Sequence, residues 1–539
     1  MSSGESEKSN ASGASKFKRL TRLWRQPASQ DVISANVGEN VRNVVVGKNI
    51  IQIGSLKIPW LLAVALATGT VATVVALIWI GVNAQRVTQF VMAPTPTPTV
   101  TATPIPTATP KPDRMSGAFN IAVADFSEIT ATGVVSNSQD GHVLSAWVYN
   151  ALVQSYQSNP ATQQLGQVEI WSDSAPIVGK NQPLGSLTSA SAAERRDLAA
   201  ALAERINATM IIYGAIDSRV SPADLWLEFY VAPDLQRTLD PAVGRHNLGG
   251  PIGVALPVEA TDPLASVALS SSLSTRTSLL FWLTTGMTYD LLGRSEDALH
   301  SFQQASQTLN SATDKSGRDL VQFFIGRQYL IMQRLDEAAD AYQQALADNA
   351  DYARAKIGLG GVYFARAQLQ PGDKPTAASE QNLKLALQTY GEAQALAQAD
   401  GDPLIIAIAR LALASTYRLQ GQSDYLENDL SAAQQALTQA IDEIESLLPQ
   451  LEQAEEYQLL GQAYESLGAA HLQLSDVVRQ LGHADDRRTH LRAAVDAFDN
   501  CIEQGERAPL DQVLVEKIIK NSCQIYRNIA QKALEEPGE

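Results

Sequence analysis

The strongest constraint on the fold is a helical pattern that repeats in the second half of the chain. Beyond about residue 275, apolar residues recur at the spacing of one helix face. Small and large residues fill fixed places of a unit of about 34 residues that starts at Leu279 and contains Trp282, Gly286, Tyr289, Gly293, Ala298, Phe302 and Ala305. The next unit starts near Asp319 and has Gly326, Tyr329, Ala338, Tyr342 and Ala345 at the equivalent places. Because small residues let paired helices approach while large ones fill the space between them, the pattern predicts stacked helix pairs with one continuous core.

These motifs resemble the tetratricopeptide repeat family. Three later units match it more loosely, at Gly360, Tyr363, Ala386, Tyr390 and Ala393; at Ala414, Tyr417, Gly421, Ala433, Leu437 and Ala440; and at Tyr464, Leu467, Gly468, Ala494, Phe498 and Cys501, with His471 where tyrosine is usual. Insertions, one of them containing Pro371 and Gly372, leave the register of these later units open. The resemblance implies an all-α solenoid over residues 275–535.

The resemblance also implies a concave groove that binds other proteins and is lined by the first helix of each unit. The candidate partner-binding residues at these positions are Leu283, Met287, Phe323, Arg327, Ile331, Ile357, Phe364, Leu411 and Arg418. The set is apolar with two arginines, which favours an apolar or amphipathic partner segment. The alternative is that part of this stripe packs against the neighbouring domain of the same chain.

A membrane span is predicted near the amino terminus. No charged residue occurs from Ile58 to Gln85, and this apolar stretch exceeds the ~20 residues that cross hydrocarbon. Lys48 and Lys57 precede the span while Arg86 alone follows closely, so the positive-inside rule predicts a cytoplasmic amino terminus and an extracytoplasmic body. Residues 58–85 are therefore expected to form a transmembrane helix, and residues 86–114, rich in Pro and Thr, an extended stalk.

The amino-terminal tail, residues 1–57, is basic, whereas the whole chain has a formal net charge of −16. The acidic remainder repels phosphate, so nucleic acid is not an expected partner. Within the tail, Val37-Gly38-Glu39-Asn40-Val41 recurs as Val46-Gly47-Lys48-Asn49-Ile50. Gly and Asn favour turns, so this short repeat predicts a hairpin or a solenoid-like turn. It is a possible element for self-association, and the protein a possible homo-oligomer.

Residues 115–260 are predicted to form an α/β domain with a mixed sheet. Alternating apolar residues predict strands at 119–126, 167–172, 209–216 and 225–233, and helical spacing appears at 140–158 and 191–206. In outline this order resembles the amino-terminal domain of TolB and CsgG-like envelope proteins, which implies assembly or recognition at the cell envelope. Asp125 and Glu228 are the carboxylates to inspect, but the favoured interpretation is that Asp125 caps a loop and Glu228 faces water.

The chain carries none of the common catalytic motifs, so no catalytic residue, cofactor or metal ligand is assigned. His483 and His490 flank two aspartates in a polar stretch that is expected to be a solvated loop. Cys501 and Cys523 are expected to be free buried thiols, because a hairpin turn near residues 506–509 would offset them by ~13 Å. Two functions remain in competition, a scaffold that binds proteins through its repeats and a sensor or enzyme that uses its α/β domain.

Overall fold

The structure is a computed structural model of the chain. It describes residues 44–47, 50–53, 56–59, 114–160, 162, 165, 168–174, 183–233, 240–258, 267–368, 374–454, 457–507 and 513–535. The predicted span therefore lies outside the described residues, apart from Ile58 and Pro59, and so does the stalk apart from Arg114. Among the helices that are described, none is long and apolar enough to cross a membrane.

A small antiparallel sheet forms in the amino-terminal region. Its strands are β1 (Val44–Gly47), β2 (Ile50–Ile53) and β3 (Leu56–Pro59), paired in that order. Gly47 lies opposite Ile50, so the second copy of the short Val-Gly repeat connects two strands of a hairpin, as predicted. The first copy lies outside the described residues.

The α/β domain is built on a mixed sheet. Its described strands are β4 (Phe119–Val123), β5 (Ser127–Ile129), β6 (Val135–Asn137), β7 (Val168–Ser172), β8 (Met210–Asp217), β9 (Ala223–Val231), β10 (Gly244–Asn247) and β11 (Ile252–Val254). The main strand order is β10-β9-β8-β4-β7, in which β4 runs parallel to β7 and β8, whereas β9 is antiparallel to β8 and β10. Strand β11 also pairs with β9, and β5 pairs with β6 and β8. The four predicted strands correspond to β4, β7, β8 and β9.

Two helices cover opposite faces of this sheet. Helix α1 (Gln139–Ser158) starts at Ser138, whose side chain accepts a hydrogen bond from the Gly141 N–H, and α2 (Ala192–Ile206) starts in the same way at Ser191. Leucine and valine side chains of α1 pack into one apolar cluster with Phe119 and Ile121. Leucine and alanine side chains of α2 pack into another on the opposite face. Both faces of the sheet are therefore buried, as a parallel βαβ arrangement requires.

The rest of the described chain is a series of antiparallel helices. They are α3 (Val267–Leu291), α4 (Ser295–Ser311), α5 (Arg318–Ile331), α6 (Leu335–Asp348), α7 (Ala353–Ala367), α8 (Ala377–Asp400), α9 (Pro403–Leu426), α10 (Leu430–Glu445), α11 (Leu448–Gln453), α12 (Tyr457–Gln480), α13 (Ala484–Arg507) and α14 (Val513–Glu535). The pairs α3–α4, α5–α6, α7–α8, α9–α10 and α12–α13 correspond to the five predicted units, and α14 follows the last of them.

The packing inside these pairs is of tetratricopeptide type. Gly326 of α5 faces Tyr342 of α6, and a Cβ at Gly326 would lie only 3.0 Å from the tyrosine ring. Gly286 and Phe302 make the equivalent contact between α3 and α4. The small residue of the first helix thus receives the aromatic ring of the second, which confirms the structural role predicted for these signature positions. The helical part of the chain is a tetratricopeptide-type array.

The prediction for the two cysteines is wrong. Cys501 of α13 and Cys523 of α14 form a disulfide, with their Cα atoms 6.3 Å apart. Helix α13 continues to Arg507, into the segment where the sequence suggested a turn, and α14 begins only at Val513. The offset of ~13 Å expected from an earlier turn therefore does not apply. The bridge ties the last helix of the array to its neighbour.

We predict that Gly326→Leu lowers the free energy of unfolding by about 1–3 kcal/mol, because the leucine would overpack the contact with Tyr342. Urea unfolding followed by circular dichroism measures the change. Gly391→Leu on α8 is the matched control, since a Cβ there meets nothing within 4 Å. Equal destabilisation by both substitutions would contradict the role assigned to Gly326.

We also predict that replacing Cys501 and Cys523 by alanine together lowers stability by about 3 kcal/mol, given the loop-closure entropy of a bridge with a sequence separation of 22 residues. Thermal unfolding of the oxidised protein and of the double variant measures the difference. A reducing agent should lower the melting temperature of the natural protein and leave that of the variant unchanged. A melting temperature of the natural protein that does not respond to reduction would refute the stabilising role.

Candidate functional site

The first helices of the array, where a partner-binding groove was predicted, pack against the chain's own α/β domain. Arg354, at the start of α7, donates hydrogen bonds from one guanidinium to the carbonyls of Pro241, Val243 and Arg245. Val243 and Arg245 flank Gly244 in and next to β10, the strand at the edge of the sheet, so the arginine satisfies carbonyls that the edge leaves unpaired. The surface predicted to bind a partner therefore contacts an extended segment of the same chain.

Gly244 makes this approach possible. Its φ is +96°, a left-handed conformation that residues with a Cβ rarely adopt, and a Cβ there would lie 2.9 Å from Arg354 Nη2. The missing side chain therefore serves both the backbone turn and the contact with the arginine. On its other side the Arg354 guanidinium lies 3.2 Å from Asp402, which caps α9.

A buried ion-pair cluster secures the same segment. Arg327 of α5 forms ion pairs with Asp240, which precedes β10, and at 2.9 Å with Asp290 of α3. Burial alone would lower the pKa of Arg327, but the two carboxylates outweigh it and raise that pKa. Removing the arginine would leave two carboxylates without the cation between them, so the cluster holds the α/β domain, α3 and α5 in one arrangement.

Aromatic rings complete this interface. His246 of β10 is buried, stacks on Phe229 with ring centroids 4.9 Å apart, and lies 6.3 and 5.7 Å from the rings of Phe323 and Phe324. Its Nε2 lies 2.7 Å from the Ala242 carbonyl oxygen. Burial holds the pKa of His246 well below its ordinary value, with a further contribution from the positive charge of Arg354. The imidazole is therefore neutral at physiological pH.

A second contact joins α1 to α3. The Tyr156 hydroxyl donates a 2.8 Å hydrogen bond to Thr284 Oγ1, and its ring meets that of Phe281 edge-on. Apolar residues of the sheet, of α1 and of helices α3 to α7 belong to one continuous buried cluster. The α/β domain and the first repeats consequently share a core.

This burial corrects most of the predicted partner site. The side chains of Leu283, Met287, Phe323, Arg327, Ile357 and Leu411 are all buried. Phe323 and Arg327 pack against the α/β domain, so the prediction that they present a free anchor and cation to a partner is wrong. The competing expectation, that part of the stripe packs against the neighbouring domain, applies to them.

The remaining predicted residues retain exposed surface. Ile331 at the end of α5 is 40% exposed, Phe364 is half-buried, and so is Arg418 of α9. The α/β domain also contacts the array near the start of α9. Gly244 lies beside Leu404, and Arg196 donates a hydrogen bond to the Gly401 carbonyl. Arg418 lies 14 residues beyond Leu404 on the same helix, or roughly 21 Å along its axis.

Arg418 belongs to a polar surface formed by three helices of the array, α9, α12 and α14, which we call the distal groove. It donates to Gln473 Oε1 at 3.2 Å and to Ser466 Oγ at 3.4 Å, both on α12. Glu465, the residue before Ser466, accepts a 2.6 Å hydrogen bond from Ser522 of α14. Burial lowers the pKa of Arg418 and raises that of Glu465. The low local dielectric around these charges increases the free-energy cost of any buried hydrogen-bonding group that has no partner.

One atom of the distal groove has no partner among the described residues. Gln462 lies one helical turn before Ser466 on α12, and its Oε1 is buried without a hydrogen bond. Gln462, Ser466 and Gln473 thus form a polar row along one face of α12. Buried polar atoms are normally satisfied, so this carbonyl oxygen is an exception within the described residues.

The two carboxylates of the α/β domain have defined structural partners. Glu228 does not face water as expected: it is buried and accepts hydrogen bonds from Arg195 at 2.9 Å and from Arg245 at 2.7 Å. Asp125, just after β4, accepts from Ser145 at 2.9 Å and lies 3.0 Å from His142 Nδ1, both on α1. The serine faces the aspartate and not the imidazole, so the trio does not have the geometry of a nucleophilic triad.

Several residues of the site escaped sequence analysis. Asp240 and Arg354 lie outside the tetratricopeptide signature, and their roles depend on contacts more than 80 residues away in the chain. Gln462 and Gln473 resemble ordinary surface glutamines in sequence. The polar stretch around His483 and His490 is not the predicted loop, because from Ala484 onward it forms the start of α13.

The fold and the groove together define an α/β domain docked on a tetratricopeptide-type array. No protein-family model and no curated protein matches the chain. Solved structures similar to it include TTC0263, a thermophilic TPR protein of Thermus thermophilus, at 17% identity and a TM-score of 0.28, covering 46% of this chain and 99% of that one. The apo form of RapI has 12% identity and a TM-score of 0.28, over 47% and 97% of the two chains. BF2334, a TPR repeats protein from Bacteroides fragilis, has 15% identity and a TM-score of 0.22, over 47% and 98%.

We predict that Arg327→Ala lowers the free energy of unfolding by about 3–5 kcal/mol, because it leaves Asp240 and Asp290 without their cation. Arg334→Ala is the control: its ion pair with Glu337 is exposed, so the change should be much smaller than that of Arg327→Ala. Urea unfolding of both variants measures the two effects. An Arg327→Ala protein as stable as the control would show that the charge cluster does not hold the interface.

Proposed function

We propose that this protein is a membrane-anchored scaffold that binds a partner protein at the distal groove, outside the cytoplasm. The observation that carries the proposal is the division of the groove. Its first part is covered by β10 and the residues before it, whereas the half-buried side chains of Arg418, Gln462 and Gln473 form a polar surface beyond that contact. A scaffold of this kind uses the α/β domain to fix the array and the later repeats to bind.

The side chains of the distal groove fit the backbone of an extended segment. Amide side chains can donate to and accept from peptide groups, and Arg418 adds a cation that contacts neutral acceptors within the described residues. This chemistry differs from the apolar segment expected from the sequence, because Leu283, Met287 and Phe323 are buried in the core that the array shares with the α/β domain. A polar, extended partner segment suits the surface better.

The cellular location is supported by two independent features. Residues 58–85 are uncharged and long enough to cross a bilayer, and the lysines before them favour a cytoplasmic amino terminus. The Cys501–Cys523 disulfide fits an oxidising compartment, since cytosolic thiols are normally kept reduced. Together they support an extracytoplasmic body, presented on the Pro/Thr-rich segment.

The competing function, ligand sensing by the α/β domain, has one feature in its favour. His142 is paired with Asp125 through Nδ1 at the carboxyl end of β4, and its side chain is 42% exposed. Ligands of open α/β sheets gather at this end of the strands. The half-buried polar row of Gln462, Ser466 and Gln473 lies instead in the distal groove, so binding through the repeats is the preferred function.

Photo-crosslinking in the native cell tests the proposal. We expect a benzoylphenylalanine placed at Gln473 of the full chain to capture a partner, and Arg418→Ala to abolish the product. Arg410→Ala is the matched control, because Arg410 lies on the same helix but pairs with Glu443 of α10. Equal products from both arginine variants, or an equal product from the same probe at Gln303 on the outer helix α4, would refute the assignment.

A labelling experiment tests the location separately. An impermeant maleimide applied to intact cells should modify Ser116→Cys and spare Ser29→Cys, because Ser116 follows the predicted span and Ser29 precedes it. The inverse pattern would place the body in the cytoplasm. The native cysteines do not interfere, since both are in the disulfide.

A further inference from the structure

Two histidines meet across the helix pair α12–α13. His471 of α12 and His490 of α13 have their Nδ1 atoms 3.2 Å apart, and their rings are inclined by 26° with centroids 5.4 Å apart. His471 is buried, whereas His490 is half-buried and reaches the surface. His471 also occupies the place where tyrosine is usual in the repeat pattern, so the contact departs from ordinary repeat packing.

Both imidazoles are suited to the neutral form. Burial, assisted by His490, lowers the pKa of His471 to about 4, and burial also lowers the pKa of His490. In the metal-free protein one Nδ1–H donates to the lone pair of the other ring, which requires two different tautomers. If both rings carry their proton on Nε2 instead, two Nδ1 lone pairs face a shared space, and neutral imidazole nitrogen is a common metal ligand.

The separation of the two nitrogens matches a chelate. With a metal ion at the usual ~2.0–2.1 Å from each nitrogen and the nitrogens 3.2 Å apart, the nitrogen–metal–nitrogen angle would be about 100°. This is close to the tetrahedral value. Rotation of the rings about their Cβ–Cγ bonds is needed to aim both lone pairs at one point. Because the two rings already lie side by side, the adjustment required is one of side-chain rotamers.

Asp486 supplies charge beside the pair. It lies one helical turn before His490 on α13, its side chain is 64% exposed, and its carboxylate favours positive charge at His490. It lies 3.5 Å from His483 in this structure, so it is not yet a ligand. The described residues contain no preassembled group of three such side chains, and the remaining coordination positions would be filled by water or by Asp486 after a rotamer change.

We propose that His471 and His490 form a two-nitrogen site for a divalent late transition-metal ion, of the class Zn²⁺, Ni²⁺ or Cu²⁺. Imidazole suits these ions, with Cu²⁺ bound most tightly of the three. The ion links α12 to α13, the pair that also carries Gln462, Gln473 and one end of the disulfide. Binding stabilises the folded form of the last repeat, because the unfolded chain does not hold the two rings together.

Metal titration of the untagged full chain in detergent, followed by calorimetry and thermal unfolding, tests the site. We expect one Zn²⁺ or Ni²⁺ per chain and a rise in melting temperature of a few degrees in excess metal. His490→Gln should weaken binding at least about tenfold, the loss of more than about 1.4 kcal/mol of binding free energy, and remove the rise. His300→Gln, at an exposed position of α4, is the control and should bind as the natural protein does.

A second variant and a spectrum separate ligation from packing. His471→Tyr restores the residue usual at this place, so it should fold and yet lose the metal response. Electron paramagnetic resonance of the Cu²⁺ form should show coupling to two imidazole nitrogens in the natural protein and to one or none in either variant. Unchanged affinity in His490→Gln, or a natural protein that binds none of the three ions, would overturn the proposal.

Discussion

The docking of strand β10 onto the repeats is the interaction on which the rest of the structure depends. An edge strand exposes unpaired carbonyls, and here one arginine of α7 meets three carbonyls in and beside β10. The ion pair between Arg327 and Asp240 fixes the same segment in place. The ring of His246 packs against Phe324 in the core of the array. Two domains with different architectures thereby become one packed body with a continuous core.

That docking covers the part of the predicted binding surface that α5 and α7 form, so the proposed function falls to the later repeats. The surface toward α12 and α14 carries polar side chains, with Arg418 and Glu465 half-buried in it. Specificity for a partner would then arise from hydrogen bonds, since a buried donor or acceptor left unpaired in a wrong complex is costly.

The local features of this fold could be predicted from the sequence, and the long-range ones could not. Gly326 and Tyr342 signal a helix pair because their contact lies within one repeat, and the alternation in β9 signals a strand. The same alternation suggested water for Glu228, because nothing local shows that α2 covers that face with Arg195. Phe323 was assigned to a free groove for a similar reason, since its cover, β10, is distant in sequence. The disulfide was missed because it depends on where α13 ends.

The covered edge strand has a consequence for synthesis of the chain. Arg245 and Arg354 are 109 positions apart, so β10 is made well before the arginine that satisfies its carbonyls. At ~5–20 residues per second the interval is on the order of 5–20 s. During it the nascent α/β domain carries an open sheet edge that can pair with another chain. Strand β10 has only four residues, so it offers few hydrogen bonds to a wrong partner, and this limits mispairing with another chain.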